Sequence, residues 1–246
     1  MARSIVYNGT DFSPWTTAEA VLPAAHGVSC EVAEVPGRAG AVLLSASVSP
    51  KDVRVRLFLD LEDDCDEEGL SAVRHGLAAS LACTEGAELE LPGEPGLVYK
   101  DAFCTGASEW SRLFEDGSCE LSFTALDPIA WGQSYTVSPA FAGDAFTFYV
   151  GGTWRSAPTV SMAAAAGDAV AVELAGAGER VEVGGPFVGG EAVVVDCGSG
   201  RVTVDGEAAD AAVALGSDFF FLEPGMRTLS FEGCASCSVG YSERWL

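Results

Sequence analysis

Beyond residue 135 no stretch of this sequence keeps a helical period, and turn formers interrupt it about every 8–12 positions. That rhythm leaves room for short strands and for little else. Strands are predicted at 146–150, 159–162, 170–174, 180–183, 192–196, 201–204, 219–222, 228–231 and 238–241. Gly198-Ser199-Gly200 closes a hairpin between the fifth and sixth of these, and Asp205-Gly206 turns the chain again. An all-β sandwich or jelly roll is the expected result. No fixed-period repeat is present, so a solenoid is not expected.

The first half is mixed. Residues 3–8 read as a strand, with Asn8-Gly9 as its turn. Pro36-Gly37-Arg38-Ala39-Gly40 is a loop between two apolar stretches, and Ser49-Pro50 breaks the run that contains Val42, Leu43 and Leu44. Val53, Val55, Leu57 and Leu59 then alternate with Arg54, Arg56 and Phe58, the signature of a half-buried antiparallel strand. One helix is predicted over about 66–83. Asp66, Glu67 and Glu68 sit at its positive N-terminal end, and Leu70, Val73, Leu77 and Leu81 form one apolar stripe. That stripe is expected to cover the open face of the sheet. Further strands are expected at 88–91, 98–104 and 119–125. The fold class is therefore mostly β, with two domains: 1–133, strands plus the helix, and 134–246, free of helix. An exposed linker between about 131 and 135 is expected to join them.

Hydrophobic residues make up 48% of the 246, enough for a real core, so the chain is not a disordered one. The net charge of −23 is spread over both halves: 22 acidic against 8 basic residues in 1–135, and 14 against 5 in 136–246. Neither half carries a basic stripe to neutralise phosphates, so direct sequence-specific nucleic-acid binding is not expected. No apolar run reaches the roughly 18–20 residues that span a bilayer, so no membrane insertion is expected. The start of the sequence lacks the apolar core of a signal peptide.

A search for chemistry finds little. The eight cysteines are scattered, and only Cys234-Ala235-Ser236-Cys237 has CxxC spacing. Without a second pair or two histidines it lacks a tetrahedral zinc set, and buried thiols are the expected state. His26 falls in a loop and His75 on the polar flank of the helix, and neither faces a G-x-S-x-G elbow. Gly176-Ala177-Gly178 opens like a dinucleotide fingerprint, but a strand follows where a helix is needed. In the acidic run from Asp60 to Glu68, an EF-hand reading puts Cys65 where glycine belongs and Ser71 at the bidentate glutamate. No catalytic, cofactor-binding or metal-binding residues are therefore assigned, no cofactor is expected, and the chain is expected not to be an enzyme.

Several short fragments, taken in order, resemble one family. They are Tyr7-Asn8-Gly9, Pro36 to Gly40 ahead of the Arg54/Arg56 strand, Leu89-Glu90-Leu91-Pro92 with Tyr99, and Phe123 to Pro128 with Trp131. Gly216-Ser217-Asp218-Phe219, Leu222, Pro224-Gly225, Leu229 and Arg244-Trp245-Leu246 continue the series. The chain resembles the distal tail proteins of long-tailed, non-contractile bacteriophages, the siphovirus-type tail components. The resemblance implies an N-terminal β domain with one helix that forms a six-membered ring, and a C-terminal galectin-like sandwich outside it. It implies a place at the virion tail tip, after synthesis in the host cytoplasm. The partners it implies are further copies of the chain, the tail tube protein, and the tail-tip and receptor-binding proteins. Genomic DNA passes through such a ring, and an acidic wall would repel it. An alternative reading is a carbohydrate-binding module contacting the host envelope, with Trp154 and Phe187 either offering aromatic faces or, equally, filling a core or domain interface.

Overall fold

Strand alternation dominates the structure, as the residue pattern demands. The computed structural model describes residues 4–60, 67–108, 117–139 and 145–246. It divides into two compact units, 1–131 with 246, and 132–245.

The first unit contains β1 (Val6–Tyr7), β2 (Thr10–Asp11), β3 (Thr16–Val21), β4 (Val28–Glu34), β5 (Ala41–Val48), β6 (Lys51–Leu59), α1 (Glu67–Leu81), β7 (Ala87–Glu90), β8 (Val98–Ala107) and β9 (Ser118–Ala125), and the start of β10 (Ala130–Val137). One antiparallel sheet runs β3-β6-β9-β8-β7-β1-β2. Its register explains the core. Val53 pairs with Phe123, Val55 with Leu121 and Leu57 with Cys119, and all six side chains are buried on one face. Arg54 and Arg56, one residue out of phase, are exposed on the other face, where Arg56 stands in register between Glu19 and Glu120. A shift of one residue would exchange arginine for valine in the core, so the register is strongly specified. Tyr7 completes the core, its ring edge-on to Phe123 at 5.1 Å and its hydroxyl donating to the Ala102 carbonyl at 3.1 Å.

The helix forms as expected, from Glu67 to Leu81. Of the predicted stripe, Leu77 is buried, while Val73 and Leu81 are half-buried; the Leu70 side chain lies outside the described residues. Ser80 donates from its hydroxyl to Thr10 at 3.2 Å, which ties the last turn to β2.

The second unit adds β11 (Phe146–Val150), β12 (Thr159–Ala164), β13 (Gly167–Leu174), β14 (Glu179–Phe187), β15 (Ala192–Asp196), β16 (Arg201–Val204), β17 (Glu207–Ala208), β18 (Gly225–Glu232) and β19 (Cys234–Trp245). Two antiparallel sheets, β17-β16-β15-β12-β19-β10 and β11-β18-β13-β14, pack as a sandwich. Val160, Met162, Val193, Val195 and Val239 from one sheet meet Val172, Val181, Leu229 and Phe231 from the other, all 0–2% exposed. Asp205-Gly206 makes the expected two-residue turn, both residues with positive φ, between β16 and β17. A side chain at Gly152, also at positive φ, would collide with the Arg244 carbonyl oxygen, so only glycine fits there.

Three expectations are corrected. Residues 219–222 are not a strand: Phe220 and Leu222 are buried alternately, but the backbone pairs only once, between Leu222 and Ser156. The first strand is shorter than 3–8, because Asn8-Gly9 turns it back after Tyr7. The expected linker at 131–135 is part of β10, so the division between units falls inside a hydrogen-bonded strand. Phe187, read either as an aromatic face or as core, is 7% exposed and packs in the sandwich core.

Candidate functional site

The largest unexplained surface is a hairpin. Strands β4 and β5 pair only with each other and form a separate two-stranded sheet. Turn formers at 36–40 close it, with Gly37 and Gly40 at positive φ. The register sorts its side chains into two faces. On one lie Val28 beside Val48, Cys30 beside Ala46, Val32 beside Leu43 and, near the turn, Glu34 beside Ala41; on the other lie Ser29 beside Ser47, Glu31 beside Ser45 and Ala33 beside Val42. Ser45 donates to the Glu31 carboxylate at 3.2 Å on the polar face. Most of the apolar face is uncovered among the described residues, with Val48 at the root half-buried. Val28 is 63% exposed, Val32 55% and Leu43 57%, while Leu44, at the irregularity in the register, is 60% exposed. A two-stranded hairpin is at best marginally stable alone, and a contiguous apolar face of this kind marks an interaction surface. Next to its root, β3 pairs on one side only, with β6, and Val21 at its end is 60% exposed.

The perturbed ionisable groups lie elsewhere and are built as supports. Lys51, 7% exposed, donates to the Tyr99 hydroxyl and lies 4.3 Å from that ring's centroid. The Tyr99 hydroxyl in turn donates a hydrogen bond to the Glu94 carboxylate at 2.8 Å. Burial pushes the Lys51 ammonium below its ordinary range and the Tyr99 phenol above it. Cation, phenol and carboxylate thus form one chain that satisfies a buried charge. The thiols are desolvated too. Burial raises Cys119 and Cys197 to about 11 and Cys237 to about 12, the reverse of an activated nucleophile.

Of the residues weighed in the sequence, the Cys234 and Cys237 thiols meet through a side-chain hydrogen bond, while the histidines and the acidic run are not brought together. His26 Nε2 lies 3.2 Å from the Pro128 carbonyl in the first unit, while His75 is exposed on the helix. Asp60 is exposed, and most of the acidic run after it lies outside the described residues. Among the described residues no group of three His, Cys, Asp or Glu side chains is placed to hold a metal ion. Among the described residues no helix is long and apolar enough to cross a membrane. Sequence reasoning missed the hairpin as a site. Its signal was the pair of apolar stretches flanking 36–40, which alternate with serine and glutamate.

Residues 151–245 match a family model described as the siphovirus-type tail component, C-terminal domain. The chain carries this tail-component domain. No curated protein matches the sequence. Among solved structures, the fold aligns with the crystal structure of SPP1 Dit (gp 19.1), described there as a paradigm of the hub adsorption apparatus in phages infecting Gram-positive bacteria. The TM-score is 0.82 over 99% of both chains, at 17% identity. Two structures of the phage p2 baseplate in its activated conformation, with Ca and with Sr, align over 92% of this chain and 90% of theirs. Their TM-scores of 0.48 and 0.47, at 8% identity, are too low to bear on the fold. The resemblance to distal tail proteins thus holds in the sequence of the second half and in the fold of the whole.

Proposed function

We propose that this chain is a structural part of a long-tailed phage or prophage tail tip. Six copies form a hub that joins the tail tube to the baseplate or host-adsorption apparatus. The β4–β5 hairpin is the observation that carries the reading. Its apolar face is exposed in one copy, and fully burying a valine or leucine contributes about 1.5–3 kcal/mol each. A neighbouring copy supplies the cover, and one such contact repeated around a closed ring leaves no apolar face uncovered. The first unit is the ring former in this reading, and the second stands outside it. Among the described residues the arrangement of ionisable groups does not call for catalysis: Lys51 is tied to Tyr99, and the buried thiols stay protonated.

Electron microscopy of the purified protein, alone and with its tail tube partner, tests the proposal. Six-fold rings are expected. Cys30, exposed on the hairpin's apolar face, should alkylate quickly in the monomer and slowly in the ring. Leu43→Glu should abolish rings while leaving the monomer folded. Two-fold dimers in both preparations, with Leu43→Glu assembling normally, would sink the hub.

A further inference from the structure

A cleft of about 540 Å³ opens in the second unit between the Ala175–Gly178 turn and the segment from Phe221 to Arg227. Leu174 and Thr228 form part of its lining. Gly176 and Gly178, both at positive φ with no atoms near a would-be side chain, keep the turn side open.

The charges in this cleft are unusual for the unit. Residues 136–246 hold only five basic side chains against 14 acidic ones. Arg180 pairs with Glu173, Glu182 and Glu232, and Arg201 pairs with Asp210. Arg155 and Arg227 join neither set, and both line the cleft. Each is held in place by something other than a carboxylate. The Arg155 guanidinium lies over the Phe221 ring, 4.5 Å from its centroid. Arg227 donates through Nε to the Glu223 carbonyl at 2.7 Å and through Nη2 to the Pro224 carbonyl at 2.9 Å. Their remaining N–H groups are donors fixed before any ligand arrives, which lowers the ordering cost of binding.

Glu179 and Glu223 line the same cleft, so its formal charges cancel. Strong donors and strong acceptors therefore stand side by side beside an apolar rim. Met226 is 62% exposed, and its cross-strand neighbour Tyr149 is 65% exposed, while Phe221 shows 38%. A simple anion would meet two carboxylates and, from farther off, the field of a chain at −23. A simple cation would meet two arginines. A neutral polyhydroxyl ligand uses both sets, because each hydroxyl donates once and accepts twice. Its C–H faces suit the aromatic and thioether rim. We infer that this cleft binds a neutral saccharide of a few rings. The inference does not depend on ring assembly, and it moves the saccharide face away from Phe187, which is buried.

Titration calorimetry of the full chain with maltotriose, lactose and chitotriose as neutral probes tests it, with glycerol 3-phosphate and tetraglutamate as anionic controls. At least one neutral saccharide should bind saturably, and the anions should not. Arg155→Ala and Phe221→Ala should each weaken that binding about tenfold or more, the loss of one good polar contact. Arg201→Ala, whose guanidinium pairs with Asp210 outside the cleft, should bind like the parent. Because Arg155 and Phe221 are both exposed, their variants should melt with the parent, which separates lost binding from lost fold. Absence of saturable binding by all three saccharides overturns the inference. So does binding unchanged in both cleft variants, and so does tighter binding of either anion.

Discussion

The two units use the same material differently. The second closes on itself: its two sheets face each other, and the large apolar side chains of both inner faces are buried. The first buries one sheet face as well, yet it leaves a whole hairpin with its apolar side uncovered. A domain that needs no partner for its core and one that keeps apolar surface in reserve have different jobs. In the proposed hub the second is carried as a self-sufficient module, whereas the first would be completed by association.

That contrast is broken most directly by cutting apolar contacts in each place. Phe231, 2% exposed in the sandwich, should cost about 3–5 kcal/mol when replaced by alanine. Leu43→Ala in the hairpin should change the stability of the isolated monomer by no more than about 0.5 kcal/mol. Urea unfolding of both variants below the assembly concentration gives the comparison. Equal losses would mean that the hairpin is already covered within one copy, and the contrast would fall.

The helix gives a sharper measure inside the first unit. Leu77 is 2% exposed, and Leu77→Ala should cost about 2–5 kcal/mol. Val73→Ala, at a half-buried position, should cost less. An unchanged melting curve for Leu77→Ala would place the helix outside the unit's core.

Much of this was legible in the residues, and unevenly so. In the second unit the strands at 146–150, 192–196 and 201–204 fall where alternation and turn formers put them. One face of each strand is buried there, so the period of two is written clearly. Residues 219–222 misled for the same reason. Phe220 and Leu222 alternate into the core from a segment that pairs once, and side-chain period reports burial, not hydrogen bonding. Strands β3 and β4 went unread because several of their side chains face solvent and the pattern is diluted by alanine and glutamate. The cleft was beyond reach, since Arg155, Glu179 and Arg227 come together only through the fold.

Alkaline pH tests the buried thiols. Cys197 and Cys237 sit in the second unit and Cys119 in the first, all raised from an ordinary 9 to about 11 or 12 by burial. Above about pH 9 the unfolded thiols lose protons and the folded ones keep theirs. The unfolded state then binds fewer protons, and stability falls as pH rises toward 11. For Cys197 the loss approaches about 3 kcal/mol. Lys51 opposes the trend within the first unit. Its folded form gives up a proton below 10.5 while the unfolded form still holds one, so it adds stability as pH rises toward that value. Cys197→Ala should flatten the decline above pH 9 in chemical denaturation. A decline of unchanged slope would remove the thiol from the account.

The smallest effect expected is that of salt on the proposed assembly, and it bears on why the first unit is acidic. Residues 1–135 carry 22 acidic against 8 basic side chains. In the proposed ring, copies brought together around a channel would repel one another, a cost that the apolar hairpin contact would offset. The same negative wall would keep DNA phosphates from sticking as they pass. Raising salt from about 0.05 to 0.5 M shortens the Debye length about threefold and weakens repulsion between exposed charges. It leaves the hairpin's apolar contact intact or slightly stronger. The hexamer fraction in sedimentation velocity should therefore rise with salt, by a few-fold in the association constant. The second unit, expressed as part of the same chain but kept outside the ring contact, should show no salt-dependent self-association in the Leu43→Glu variant. A hexamer that dissociates as salt rises would show that the ring contact is made by ion pairs, and the hairpin's apolar face would lose its role.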